Sequence, residues 1–361
     1  MDPGSFLPNL PTGARILIIR LRSIGDIVLL TPALRLLKEW RPDLRISVMV
    51  EARFRELLQG NPTVEEILIP WAGTGVRKLV SRLAVIRELR RRGFALSVNL
   101  HGGPSSRQFV RWSGAPWRVG FAHYRGASLY NLLVPDAKIL LHQQTVHTAE
   151  HQAAAFFYLG LPRQEIPRAQ LFCAAGQAAW WEATRTSLEI PPGRAYAIVH
   201  PTALYKTKEW SPEGFARLGE YLESEAGLTP IYSCGPGEAA VVDAVEKAAG
   251  KRVRRLEGAT LAQFAAALTG ARLFVGNDSG PAHMAAALGR PLVVIFGSSS
   301  SPTWGPWPRP ADGAAARVVQ NPFDCNPCPG DRCYKFARPE CILSVTFDQV
   351  KSAVQELLAQ V

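Results

Sequence analysis

Several common signatures are missing from this 361-residue sequence. No run approaches the ~18 consecutive apolar residues of a membrane-spanning helix. The opening MDPGSFLPNLPTG has neither the charged nor the apolar stretch of a secretory signal. These absences point to a cytosolic protein, and MDPGSF is left outside the fold. There is no G-x-x-x-x-G-K-[ST] loop, no G-x-G-x-x-G fingerprint opening the first half and no HExxH, which weighs against ATPase, dehydrogenase and zinc-protease readings. Acidic residues are scarce on one side only: residues 1–170 hold 12 Asp/Glu against 23 Lys/Arg, whereas residues 171–361 hold 18 of each. The whole net charge of +11 therefore sits in the first half. That half should meet something polyanionic: nucleic acid, an anionic membrane surface or a phosphorylated substrate.

The length suits two domains rather than one core, and 47% apolar residues can fill both. Short apolar runs alternate with helical patterns, as in a parallel α/β sheet. In the first half the runs are Ile16 to Leu21, Ile46 to Val50, Ile67 to Ile69 and Ala95 to Leu100. Between them lie an apolar helix through about Trp40, with Pro32 near its front, and a basic helix from Val76 to Arg92. At ~100° per residue, Leu79, Leu83, Ile86 and Leu89 of that helix share one face, leaving its arginines to solvent beside Arg35, Lys38 and Arg41. Residues 160–175, with Pro162 and Pro167, read as a linker, dividing the chain into 1–165 and 166–361. The second half repeats the pattern, with strands at Ala197 to His200, Pro230 to Ser233, Val253 to Leu256, Leu273 to Val275 and Pro291 to Phe296. A helix from Phe347 to Leu358 closes the chain.

Polar residues with chemical potential fall where strands end. RLFVGNDSGPAHMAAALGRPLVVIFG reads as strand, turn, helix, strand. Ser279 or Gly280 can cap its helix, Pro281 fits the first turn, and the free N–H groups there form a seat for phosphate, flanked by Asp278 and His283. HPTALYKTKEW (200–210) offers the Thr202 hydroxyl and two lysines, Lys206 and Lys208, able to reach a phosphate. Cys234 to Glu238 adds a carboxylate suited to ribose hydroxyls or to capping a helix. In the first half, Asp26 ends IIRLRSIGD at a helix start, as a capping residue or as a base. Singly each loop has a plain structural reading; together those of the second half make an inventory for a nucleoside diphosphate. The segment CNPCPGDRCYKFARPEC brings together Cys325, Cys328, Cys333 and Cys341. Its CxxC invites zinc, but the last two cysteines form no second CxxC and no His joins them, so metal, free thiols and a local disulfide all stay open.

With these residues laid out, the chain resembles glycosyltransferase family 9, the bacterial lipopolysaccharide heptosyltransferases, over nearly its whole length. RLRSIGDIVLLTPALRLLKEWRPD, GNDSGPAHMAAALGRPLVVIFG and Lys208-Glu209-Trp210-Ser211-Pro212 carry the resemblance. The cysteine segment is more similar to the heptosyltransferase II branch. The resemblance implies a GT-B architecture: two Rossmann-like α/β domains with parallel sheets facing an interdomain cleft, acceptor on the first and nucleotide sugar on the second. It implies inverting, metal-independent transfer from ADP-heptose without a cofactor, with Asp26 as catalytic base. Thr202, Lys208, Glu238, Asp278, Ser279, Gly280 and His283 would bind the donor. The acceptor would be phosphorylated, Kdo/heptose-bearing lipid A core at the inner face of the inner membrane, an anionic surface the basic half would meet. Transfer of another sugar to another glycan is the alternative. A nucleic-acid-binding reading fits the basic half but explains neither Asp26 nor the phosphate-seat loops.

Overall fold

The computed structural model describes residues 3–70, 75–173, 176–309 and 315–360, with backbone only for 75–79. The chain forms two compact units, Met1–Phe172 and Cys173–Val361. The first unit thus reaches seven residues past 165. Residues 160–172 belong to it because they are bonded and packed there. The Gln170 N–H donates to Thr31 Oγ at 3.0 Å, and Leu161 and Ala169 are buried. The opening residues also belong to the fold. Phe6 and Leu7 are buried, Phe6 meets the Trp117 ring edge-on, and the Leu7 N–H donates to the Leu159 carbonyl.

In the first unit the elements run β1 (Arg15–Ile19), α1 (Ile24–Val28), α2 (Thr31–Trp40), β2 (Arg45–Met49), β3 (Glu66–Leu68), α3 (Gly75–Arg91), β4 (Leu96–Asn99), α4 (Pro104–Trp112), β5 (Trp117–Phe121), β6 (Leu132–Val134), α5 (Ala137–Leu141) and α6 (Thr148–Tyr158). The second continues with α7 (Gln177–Ser187), β7 (Tyr196–His200), α8 (Pro212–Ser224), β8 (Thr229–Cys234), α9 (Ala239–Ala249), β9 (Arg254–Glu257), α10 (Leu261–Thr269), β10 (Leu273–Asn277), α11 (Gly280–Ala287), β11 (Leu292–Ile295), α12 (Ser301–Trp304), β12 (Ala316–Val319), α13 (Glu340–Leu343) and α14 (Phe347–Leu358). Pro32 does not kink one long helix. It opens a second one, α2, where a missing N–H costs nothing.

Each unit holds one six-stranded sheet, ordered β3-β2-β1-β4-β5-β6 in the first and β12-β11-β10-β7-β8-β9 in the second. Read from the other edge, the second repeats the first, and every pairing is parallel. Central strands, covered on both faces, are continuous apolar runs: β1 reads RILII and β11 LVVI. In the second unit Phe215, Leu218 and Leu222 of α8 and Val350, Val354 and Leu357 of α14 share one core with Val199, Val275 and Ile295 of the sheet. Among the described residues no helix is long and apolar enough to cross a membrane.

The basic helix α3 turns differently from the expected apolar face. Leu89 is buried and Val85 packs against the core, but Val80 and Leu83 are 62% and 60% exposed. Polar side chains take the inward places. The Arg82 guanidinium lies 4.1 Å over the Trp112 ring, and Arg92 is bonded to Glu66 and Glu88. Arg77, Lys78 and Leu79 lie outside the described side chains. Arg35 pairs with Glu39, Lys38 donates to the Leu44 carbonyl, and Arg41 binds Asp43 and the carbonyls of Leu7 and Leu10. Lys38 and Arg41 therefore hold the fold together rather than facing outward as free charge.

Tyr130 closes over Gly120 of β5, where an added Cβ would stand 2.7 Å from the ring, and accepts the Asn99 amide at 2.6 Å. Gly120→Ala should therefore destabilise the protein by about 1–3 kcal/mol through overpacking, read as a lower urea midpoint. An unchanged midpoint would show that the ring yields without cost.

Candidate functional site

A 3-2-1-4-5-6 sheet reverses its strand order between its first and fourth strands, and α/β sheets bind ligands beyond the carboxyl ends at that reversal. In the second unit the reversal lies between β7 and β10, which pair so closely that a Cβ on Gly276 would stand 2.9 Å from the His200 carbonyl. The chain leaving β7 carries Thr202 and Lys208, and that leaving β10 carries Asp278 to His283. Asn277, fully buried, joins the two loops. Its amide donates to the Pro201 carbonyl at 2.8 Å, and its oxygen accepts the Trp210 N–H at 3.1 Å.

Lys208 Nζ donates to Asp278 Oδ2 at 2.8 Å, with the lysine side chain 22% and the aspartate 6% exposed. The two lysines of the loop are thereby separated: Lys206 turns outward to Glu209 at 2.6 Å. Ser279 stands at the N-cap of α11 in extended conformation, but its hydroxyl makes no capping bond. Ser279 Oγ and His283 Nδ1 are both buried without a hydrogen-bond partner among the described residues. Leaving such a group unpaired costs about 1–3 kcal/mol. Two of them at one helix start, where first-turn N–H groups lack intrahelical acceptors, form a place that a polar anionic group would satisfy. His283 is held down at about 4, chiefly by burial, with Asp278 opposing and Lys208 adding to the shift.

Glu238 leads into α9 from the end of β8. Its Oε2 accepts the Thr202 hydroxyl at 2.6 Å and the Gly235 N–H at 2.9 Å. Thr202 also meets His200 Nε2 at 3.0 Å, and His200 Nδ1 meets Ser233 Oγ at 2.9 Å. Thr202, Lys208, Glu238, Asp278, Ser279, Gly280 and His283 thus share one sheet edge of one unit.

Asp26 occupies the equivalent edge of the first unit, at the third position of α1 beyond β1. One carboxylate oxygen accepts from Arg20; the other accepts the Ser23 N–H and hydroxyl, each at 3.0 Å. Its geometry carries the capping role read from the sequence: it closes a capping box, and its carboxylate is held at the strand ends. Arg20 also donates to the Leu100 carbonyl, at the end of β4. Burial lowers the guanidinium to about 10, so it stays charged at neutral pH. That charge, added to burial, holds His101 and His151 down at about 4. Sequence reasoning missed Arg20, His101 and His151 here, and Asn277 and His200 in the second unit. Strand-end position was the available signal for all but His151, which comes from α6.

Comparison with known proteins decides the class. The family model of glycosyltransferase family 9 (heptosyltransferase) matches residues 82–334. The chain belongs to glycosyltransferase family 9. It is 25% identical to lipopolysaccharide heptosyltransferase 3 of Escherichia coli K12, over 80% of this chain and 83% of that protein. Among solved structures, a family 9 glycosyltransferase from Veillonella parvula superposes with a TM-score of 0.80 at 20% identity, covering 96% of this chain and 98% of its own. E. coli ADP-heptose lps heptosyltransferase II does so at 0.75 and 22%, covering 96% and 99%. The protein is a glycosyltransferase with the two Rossmann-like sheets of the GT-B class.

Within this family 9 chain the cysteine segment lies against the lysine loop. The Thr207 hydroxyl donates to the Gly330 carbonyl, and the Cys328 N–H to the Ser298 carbonyl at 3.1 Å. Cys325, Cys328, Cys333 and Cys341 are free thiols. Among the described residues no three His, Cys, Asp or Glu side chains are grouped to hold a metal ion.

The buried histidines set a pH expectation. His200 and His283 stand at about 4 in the fold, mainly through burial, against about 6.5 when unfolded. Between those values the unfolded chain binds protons that the native chain does not. Their contribution to stability is thus complete above about pH 6.5 and is lost as pH falls toward 4. The urea midpoint should decline across that window, and less steeply for His283→Leu than for wild type. Equal slopes would show that His283 is not held neutral.

Proposed function

We propose that this glycosyltransferase moves heptose from ADP-heptose to the inner core of lipopolysaccharide, on a Kdo- or heptose-bearing lipid A acceptor. The observation that carries the reading is the second unit's sheet edge. Along it lie a lysine aimed by an aspartate, a helix start with polar atoms unpaired among the described residues, and a carboxylate with one oxygen unbonded among them. The names of the relatives supply the sugar and the glycan. In this reading the first unit binds acceptor and the second binds donor.

The donor diphosphate sits on the start of α11 near Gly280, where Ser279 and His283 meet it, and Lys208 neutralises charge as ADP leaves. Asp278 cannot face phosphate without repulsion, so it aims Lys208 and accepts hydroxyls from the sugar. Glu238 accepts the ribose hydroxyls. Asp26 takes the proton of the attacking acceptor hydroxyl, giving inversion at the anomeric carbon. Arg20 and Ser23 hold the carboxylate in place, and the proton reaches it as attack makes the hydroxyl acidic. Lysine and the helix start serve the leaving diphosphate without a metal ion.

Two substitutions test these roles. Asp26→Asn should abolish transfer while leaving ADP affinity near wild type; turnover close to wild type would return Asp26 to helix capping alone. Lys208→Ala should weaken ADP binding by roughly 1.5–3 kcal/mol, the worth of a charge-assisted contact. Unchanged affinity by calorimetry would remove the lysine from the donor site.

The reading also places the protein on the anionic inner face of the inner membrane. Supporting this, α3 exposes Val80, Leu83, Arg87, Arg90 and Arg91, the last of them paired with Glu88. Each basic residue near such a surface contributes ~1 kcal/mol, screened within ~8 Å at physiological salt. Replacing Arg87, Arg90 and Arg91 by Glu should cut sedimentation with anionic vesicles at low salt and leave ADP affinity unmoved. If both proteins sediment alike, the face is only solvated.

A further inference from the structure

His200 sits beneath the donor edge, buried at the end of β7 with its ring near those of Phe264 and Phe274, and the mechanism above gives it no work. The proton count along its hydrogen bonds is nevertheless determinate. A threonine hydroxyl has one proton, and that of Thr202 goes to Glu238 Oε2. Thr202 Oγ therefore can only accept from His200 Nε2, 3.0 Å away. The imidazole is neutral, held so by burial, and must carry its single proton on Nε2, which leaves Nδ1 to accept from Ser233 Oγ at 2.9 Å, nearer than that hydroxyl's other acceptor, the Val199 carbonyl at 3.4 Å. The series runs one way: Ser233 to His200, His200 to Thr202, Thr202 to Glu238. Reversing any member would set two protons, or two lone pairs, against each other.

Glu238 ends that series with Oε2 filled twice, by Thr202 and by the Gly235 N–H, while Oε1 has no hydrogen bond among the described residues. A carboxylate on a loop can otherwise turn about its last torsion and offer either oxygen. Here one oxygen is fixed and the other is left as an acceptor for a ligand hydroxyl.

We propose that His200 is a positioning residue for donor recognition: through Thr202 it locks the Glu238 carboxylate so that Oε1 reads the hydroxyls of a ribose. This rests on the assignment of Glu238 to the donor's ribose.

The test compares ADP with 2′,3′-dideoxy-ADP by calorimetry. Wild type should favour ADP by roughly tenfold or more, as hydrogen bonds to a charged group are worth, and Glu238→Gln should remove most of that preference. Thr202→Val, which deletes the hydroxyl at nearly constant volume, and His200→Leu should lower the preference to within a few-fold of Glu238→Gln. Thr202→Ser should keep it. Affinity for dideoxy-ADP should fall less than affinity for ADP in each variant, because lost aim acts through the ribose hydroxyls, and the threonine pair decides if His200→Leu does not fold. Preference retained in Thr202→Val would overturn the positioning role. Preference retained in Glu238→Gln would overturn the ribose assignment, and the inference with it. An equal loss of affinity for both nucleotides in Thr202→Val would make the series merely structural and would also overturn it.

Discussion

Where two neighbouring parallel strands send their following chain to opposite faces of a sheet, neither connection can cover the gap beyond their carboxyl ends. Both units of this protein depend on that constraint, between β1 and β4 and between β7 and β10. Parallel pairing also brings every strand end to one edge, so residues remote in sequence meet there: Thr202, Glu238 and Asp278 each follow a different strand. Gly276 permits the close approach of β10 to β7, and Asn277 ties the two departing loops with both ends of its amide.

The two edges carry ion pairs of opposite emphasis. In the first unit an arginine supports an aspartate: Arg20, between the ends of β1 and β4, fixes the carboxylate of Asp26. In the second an aspartate supports a lysine, and Asp278 turns Lys208 away from solvent while Lys206 is left outside. Largely buried pairs of this kind add little net stability, because desolvation offsets attraction. In the proposed transfer their value lies in aim. Proton transfer needs a carboxylate held in place, and a departing diphosphate needs a cation held in place.

Much of this was legible in residue order, for identifiable reasons. The alternation of strand and helix, the α11 motif and the closing helix from Phe347 to Leu358 all announce themselves through apolar runs and turn formers. β5, β6 and α7 did not. β6 is three residues long, β5 contains Arg118 and Gly120, and α7 carries two adjacent tryptophans of which only Trp181 is buried. Asp26 was visible because a carboxylate just inside a helix start is a recognisable pattern. Arg20 was not, because a basic residue closing an apolar run looks like the run's solvent end. On α3 the leucines alone suggested a buried stripe. The inward face is instead shared by Leu89, Val85, Arg82 and Arg92, a division that only the partners Trp112 and Glu66 reveal. Lys206 and Lys208 were equivalent until their loop folded, since two residues in a loop fix no common direction.

The proposed transfer pairs donor and acceptor chemistry on one chain. Its most direct measurement is mass spectrometry of lipid A–Kdo acceptors, heptose-free and heptose-bearing, each incubated with the protein and one nucleotide sugar at a time. The account predicts addition of a single heptosyl unit from ADP-heptose and no addition from UDP- or GDP-linked sugars. Addition from a UDP- or GDP-sugar, with ADP-heptose inert, would contradict it.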